Sequence, residues 1–146
     1  MSTNAGYHGA MRPSLEIIEH PGEVRLRLRA ATPGDLAVVA GRALAELELG
    51  RAPGPAEGPW RQLVVQGRDR EASLVHWLNE LIYLAEVDRW VAVEFAVEAA
   101  TDTELRLRAR GIVVDEAPSR VKAATFHGLR IATVMDGVEA DVVLDV

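Results

Sequence analysis

The stretch DREASLVHWLNELIYLAEVD, Asp69 to Asp88, decides the fold. On a helical period Leu74, Leu78, Leu81, Ile82 and Ala85 share one side, widened by Val75, Trp77 and Leu84. His76, Asn79, Glu80, Tyr83 and Glu86 lie opposite. A helix with this division must cover half its surface with other elements. Asp69 stands where an N-cap is needed, and Glu71 in the first turn suits the positive end of the helix dipole.

The segments on either side supply the covering layer. Upstream, Val24, Leu26 and Leu28 alternate strictly with Arg25, Arg27 and Arg29, which predicts a half-buried strand from Glu23. Before it, Leu15, Ile17 and Ile18 suggest a first strand ending at Glu19, followed by the turn His20-Pro21-Gly22. Thr32-Pro33-Gly34-Asp35 places a cap, a proline at the first helical position and an acid, so a first helix runs from there to the stop at Gly50. Residues 51–59 read as a Pro/Gly-rich loop, and Arg61 to Gln66 as a short strand. Downstream, Val91, Val93, Phe95 and Val97 alternate with polar or small residues. A turn at Thr101-Asp102 then leads to Leu105, Leu107 and Ala109, interleaved with Arg106, Arg108 and Arg110. Asp115 to Ser119 reads as a loop. Strands over 121–126 and 129–134 are expected on either side of His127-Gly128. A last strand follows the turn pair Asp136-Gly137, with Val138, Ala140, Val142, Leu144 and Val146 on one face and Glu139, Asp141, Val143 and Asp145 on the other.

Two helices among about seven strands predict an α+β fold: a two-layer sandwich with both helices on one face of a mostly antiparallel, mixed β-sheet. Residues 1–13, small, polar and aperiodic, are expected to be a disordered tail, leaving 14–146 as a single domain. At 146 residues and 49% hydrophobic, the chain suffices for one core. It has 16 basic and 22 acidic residues, a net charge of -6. That balance disfavours a grip on bare phosphate backbone and favours a basic protein partner. The absence of cysteine excludes a disulfide framework, a thiol nucleophile and a cysteine zinc site. With no apolar run of membrane length and no signal-peptide order, the expectation is a soluble, cytoplasmic protein with no membrane partner.

The candidate sites divide by chemistry. The arginine stripes 25/27/29 and 106/108/110 either fork onto phosphate or pair across strands with Glu94, Glu98, Glu139 and Asp141. His76, Asn79 and Tyr83 form either a solvated helix face or a partner surface. Lys122, the single lysine, lies five residues before His127, yet no nucleophile or cofactor motif accompanies the pair. Glu23 starts a strand just after a turn, and Asp145 stands beside the carboxylate of Val146. If the first and last strands are neighbours, these oxygens converge on a hard divalent cation, Ca²⁺ or Mg²⁺; otherwise they are ordinary surface acids.

The runs LVHWLNELIYLAEVD (74–88), VKAATFHGLRI (121–131) and VEADVVLDV (138–146), in that order, resemble the archease family, the small cofactor protein of the guanylate-dependent tRNA-splicing RNA ligase. The resemblance covers about residues 14 to 146. It implies an α+β fold and a non-catalytic role, in which the protein promotes guanylylation of the ligase's histidine, permits multiple turnover and broadens nucleotide use. The partner would be the ligase, with RNA met only indirectly. It also implies a divalent metal held by an acid of an H-T-A-D motif and by the last two residues. By position these are Glu23, Asp145 and Val146, with His20, Lys122 and His127 lining the site or facing the partner. Pro21, Gly22 and Glu23 depart from that motif. Gly111-Ile112 and the short 113–120 stretch depart from the family's Gly-Glu and histidine. Two other readings stay open: a small metal-dependent enzyme acting on a phosphate ester, and a chaperone-like interaction module whose metal site has decayed.

Overall fold

The computed structural model describes residues 11–146. Along the chain these form β1 (Ser14–His20), β2 (Glu23–Ala30), α1 (Pro33–Leu49), β3 (Glu57–Gln66), α2 (Arg70–Val87), β4 (Trp90–Ala100), β5 (Glu104–Val113), β6 (Ala123–Val134) and β7 (Gly137–Asp145). Of the expected tail, residues 1–10, with Tyr7 and His8, lie outside the described residues. Met11 already donates its N–H to the Asp136 carbonyl, 3.1 Å away.

Both helices begin where their caps were read. The Thr32 hydroxyl accepts from the Asp35 N–H at 3.1 Å, and the Asp69 carboxylate from Ala72 at 2.8 Å. Each cap satisfies one of the amides that a first turn leaves without an intrahelical partner. Gly50, at φ 71°, closes α1 by donating to the Glu46 carbonyl at 2.8 Å.

The expected single sheet is two. One has the order β1-β2-β7-β6 and the other β3-β5-β4, and every pairing within them is antiparallel rather than mixed. Helix α1 spans β2 of the first sheet and β4 of the second, while α2 covers β6, β4 and β3. One continuous core therefore joins both sheets and both helices. The strand stripes read from sequence point into it: Val24, Leu26 and Leu28 from β2, Leu105, Leu107 and Ala109 from β5, and Val138, Ala140, Val142 and Leu144 from β7. Trp77 of α2 is fully buried at its centre. Its indole N–H donates to the Ala37 carbonyl at 2.9 Å, and its ring meets Phe95 edge-on at 5.9 Å. Phe95 in turn presses on α1 at Gly41, where an added Cβ would lie 2.5 Å from the ring.

Two local expectations change. The loop expected over 51–59 ends early, since β3 begins at Glu57 and reaches the regular ladder at Arg61 through a register break. His127-Gly128 does not separate two strands. β6 runs through it, with Thr125 opposite Val143 and Arg130 opposite Asp141, so four residues on β6 face Val142 alone. Gly128, at φ 63°, carries the kink. The bulge lies against Val143 and covers it, so this side chain, expected on the open face, is 2% exposed.

Candidate functional site

Directly opposed residues of antiparallel strands share a face, and side chains two apart along a strand form successive rows on it. The outer face of the four-stranded sheet can be followed row by row from one end. The first row holds His20, Glu23, Asp145 and Ala123, one from each strand. The second holds Ile18, Arg25, Val143 and Thr125, and the third Glu16, Arg27, Asp141 and Arg130. The two acids singled out from sequence are thus immediate neighbours across β2 and β7. Val146 is drawn in as well: its N–H donates to the Gly22 carbonyl at 3.3 Å, and its side chain packs on the core.

Charge pairing along these rows is uneven. In the third row Arg27 donates to Asp141 at 3.2 Å and reaches Glu16 at 3.6 Å, while Arg130 stands 4.0 Å from Asp141. One row further, Arg29 meets Glu139 at 2.6 Å. On the other sheet Arg106, Arg108 and Arg110 pair with Glu104, Glu98 and Glu94 at 3.3–3.7 Å. Five of the six striped arginines therefore follow the cross-strand reading or pair along their own strand. The first row has no such match. Among the described residues no cation lies within 4.0 Å of the carboxylates of Glu23 or Asp145. Two like charges directly opposed across a ladder repel, so this end of the sheet is an anionic position without a cation of its own among the described residues.

Further bonds hold the ends of the strands around this row. The Lys122 N–H donates to the Asp145 carbonyl at 2.9 Å, which extends the β6–β7 pairing beyond Ala123. Thr125 organises the bulge. Its hydroxyl donates to the Val143 carbonyl at 3.1 Å and accepts from the His127 N–H at 3.3 Å. Asn79 works from the helix side, giving its amide N–H to the Ala124 carbonyl at 3.2 Å and accepting the Ala124 N–H at 2.8 Å. It satisfies both main-chain groups of Ala124 on edge strand β6. The connection 114–122 is tied back to β1 by the ion pair of Arg120 with Glu19, next to His20.

Structure thus brings together His20, Glu23, Asp145, Val146 and the main chain of Lys122. The side chains of His20, Lys122 and His127 are exposed, and His127 belongs to the bulge rather than to the row of acids. His76 is turned elsewhere, with Nδ1 2.6 Å from the Gln66 carbonyl. Thr125, which no sequence pattern singles out, and Asn79 are the side chains that hold β6 beside this row. The helical period places Asn79 on one face with His76 and Tyr83, and only the docking of α2 on β6 distinguishes it from them.

The donor chemistry fits a hard cation. Two adjacent carboxylates and the main-chain oxygens of Val146 offer oxygen alone, the preference of Ca²⁺ and Mg²⁺, and the open outer face leaves room for further oxygen ligands. Among the described residues no group of three or more His, Cys, Asp and Glu side chains is arranged to hold a metal. A main-chain oxygen would therefore have to complete the protein's share.

Comparison with known proteins agrees with this architecture. A family model described as the Archease protein family (MTH1598/TM1083) matches residues 15–146. Protein archease of Methanopyrus kandleri is 32% identical over 126 residues, 80% of this chain and 87% of that protein. Protein archease of Methanosarcina acetivorans is 32% identical over 94 residues, 59% of this chain, and the match spans 64% of its length. The solution structure of Methanobacterium thermoautotrophicum protein 1598 superimposes with a TM-score of 0.70 at 21% identity, covering 90% of this chain and 98% of that one. A Thermotoga maritima structure, described as an archease and possible chaperone, gives 0.63 at 21% identity over 93% and 98%. At such identities these two speak for the fold alone.

Proposed function

This chain belongs to the archease family, and we propose that it acts as a non-catalytic protein cofactor that activates the guanylate-dependent tRNA-splicing or RNA-repair ligase. The observation that carries the reading is the row of directly opposed, unmatched acids Glu23 and Asp145 at the end of the four-stranded sheet, joined there by Val146.

Glu23, Asp145 and a main-chain oxygen of Val146 would hold Ca²⁺ or Mg²⁺, and the bound ion would supply a positive charge that a ligand or partner oxygen can share. What the chain itself does is positional. Antiparallel pairing fixes the two carboxylates on one face, and the Lys122 bond to Asp145 and the Asn79 bonds to Ala124 hold the neighbouring strand. With a net charge of -6, the protein suits a basic partner, steered electrostatically. Docking then favours the ligase conformation competent for guanylylation. A bias of ~1.4 kcal/mol toward that conformation changes its population ratio tenfold. No bond need be made or broken on this chain.

The test is the rate of ligase guanylylation with and without added protein. Wild type should accelerate it, and Glu23→Ala and Asp145→Ala should lose that effect while unfolding at an unchanged temperature. An unaltered ligase rate with the folded wild-type protein rejects the proposal. Helix lengths and hydropathy bear only on the membrane question: among the described residues no helix is long and apolar enough to cross one.

A further inference from the structure

Among the described residues the two sheets end in the edge strands β1, β6, β3 and β4, and the last three are blocked. On β6, Asn79 takes both main-chain groups of Ala124, and the Arg70 guanidinium donates to the Ile131 carbonyl at 3.1 Å and the Thr133 hydroxyl at 2.9 Å. β3 contains Pro59 and a register break, and His76 lies on its Gln66 carbonyl. β4 is interrupted twice, between Ala92 and Glu94 and between Val97 and Ala99. Proline, bulges and covering side chains keep an edge from pairing with another chain. β1 has no such device. Its register with β2 is unbroken from Ser14 to His20, and among the described residues its main chain bonds to β2 alone.

The two-residue turn Pro21-Gly22, with Gly22 at φ 80°, makes His20 and Glu23 a hydrogen-bonded pair. The alternate residues Leu15, Ile17 and Glu19 therefore turn their N–H and C=O groups to the open side. A groove lies beside that edge, between Ile17 and Glu19 and the end of α1 at Leu47 and Gly50. The lead-in to β1 runs away from it: Met11 bonds to Asp136 in the β6–β7 turn, on the far side of β2.

We infer that β1 pairs antiparallel with β1 of a second copy of this chain, about a twofold axis at Ile18, joining two four-stranded sheets into one. Local charge permits it. The chain carries -6, yet on this edge Glu16 is paired with Arg27 at 3.6 Å and Glu19 with Arg120, and the groove adds one acid, Glu46, and one base, Arg51. The strand SLEIIEH fits its own reverse in this register: Ile18 meets Ile18, Glu16 meets His20, and Ile17 and Glu19 exchange main-chain bonds. An axis at Glu16 or Glu19 opposes two glutamates, and one at Ile17 sets Glu16 against Ile18 and Glu19 against Leu15. Helix α1 packs on β2, so the two copies of α1 stand three strand spacings apart, ~14 Å, clear of the ~8–10 Å of packed helices. The axis uses the one unblocked edge, so association closes at the dimer instead of continuing into a filament. So short a ladder stays below the ~1,200 Å² of a standard interface, which makes the dimer weak and reversible.

Sedimentation velocity of the full chain from ~5 to ~500 µM, the range of a weak interface, tests this. Wild type should pass reversibly from monomer to dimer. Ile18→Glu puts like charges on the axis and should weaken dimerisation at least ~5-fold. Within one copy the new glutamate faces Arg25, so its unfolding temperature should not fall. Ile18→Lys should weaken dimerisation as well. An equimolar mixture of the two variants should associate more tightly than either alone, as an isologous contact at this residue requires. A wild type that stays monomeric throughout overturns the inference, as does a dimer that neither substitution weakens or a mixture no tighter than its components. A dimer that forms only after residues 1–10 are removed overturns it too, by assigning the edge to that segment.

Discussion

Replacing Glu48 by glutamine should stabilise this protein at neutral and alkaline pH while changing little at pH 5. Glu48 lies in the last turn of α1, half-buried, one turn beyond the buried Leu44 and Ala45. Burial pushes its carboxyl up from 4.5 to about 8. The negative end of the helix dipole acts in the same direction. An acid whose folded pKa exceeds its unfolded one holds its proton longer in the native state. The unfolded chain therefore gains the advantage of ionisation first, and stability falls as pH rises from 4.5 to about 8, then levels off. That difference caps the effect at ~5 kcal/mol, and screening of a partly exposed carboxyl reduces it to ~2 kcal/mol. Glutamine keeps the shape and cannot ionise. Urea unfolding at pH 5, 6, 7 and 8, followed by circular dichroism, should show wild type losing ~2 kcal/mol across the series relative to Glu48→Gln, with equal m-values. Parallel stability curves for the two proteins, or a glutamine variant less stable at pH 8, would refute the reasoning.

Asn79→Ala removes both bonds to Ala124 and leaves the main chain of β6 to water. It should cost ~2–3 kcal/mol in urea unfolding and weaken Mg²⁺ affinity, whereas Asn79→Asp, which keeps the acceptor for the Ala124 N–H, should retain part of both. Glu23→Gln relieves a like-charge pair, so without divalent cation it should raise stability by ~0.5 kcal/mol, while calorimetry shows Mg²⁺ affinity reduced at least ~10-fold. Saturating Mg²⁺ at 100 times its dissociation constant should stabilise wild type by ~2.7 kcal/mol in thermal unfolding, and Asp145→Asn should lose most of that gain. Gly41→Ala forces a methyl into the Phe95 ring and should cost ~1–3 kcal/mol, partly recovered by pairing it with Phe95→Leu.

Local chemistry explains how much of this was legible in advance. Helix ends depend on residues three or four apart, so Thr32, Asp69 and Gly50 announced their caps without any knowledge of tertiary structure. Strand faces depend on a period of two, and the inward stripes of β2, β5 and β7 could be read directly. Val143 escaped because its cover comes from a bulge on a different strand, and a bulge is a register relation between two segments. The proximity of Glu23 and Asp145 could be stated only conditionally, since it required β2 and β7 to be neighbours.

By itself the amino-acid order determined the two capped helices, the alternating strands, the α+β class and the family to which the chain belongs, because each rests on spacing along one segment or on a pattern of residues. Tertiary structure alone decided that the strands divide into two sheets sharing one core. It also decided that Asn79 faces β6 while His76 faces β3, and that among the outward arginines of β2 Arg25 has Val143 across from it instead of an acid. Pairing between strands is settled by burial of the whole core at once, and no window along the chain contains that information.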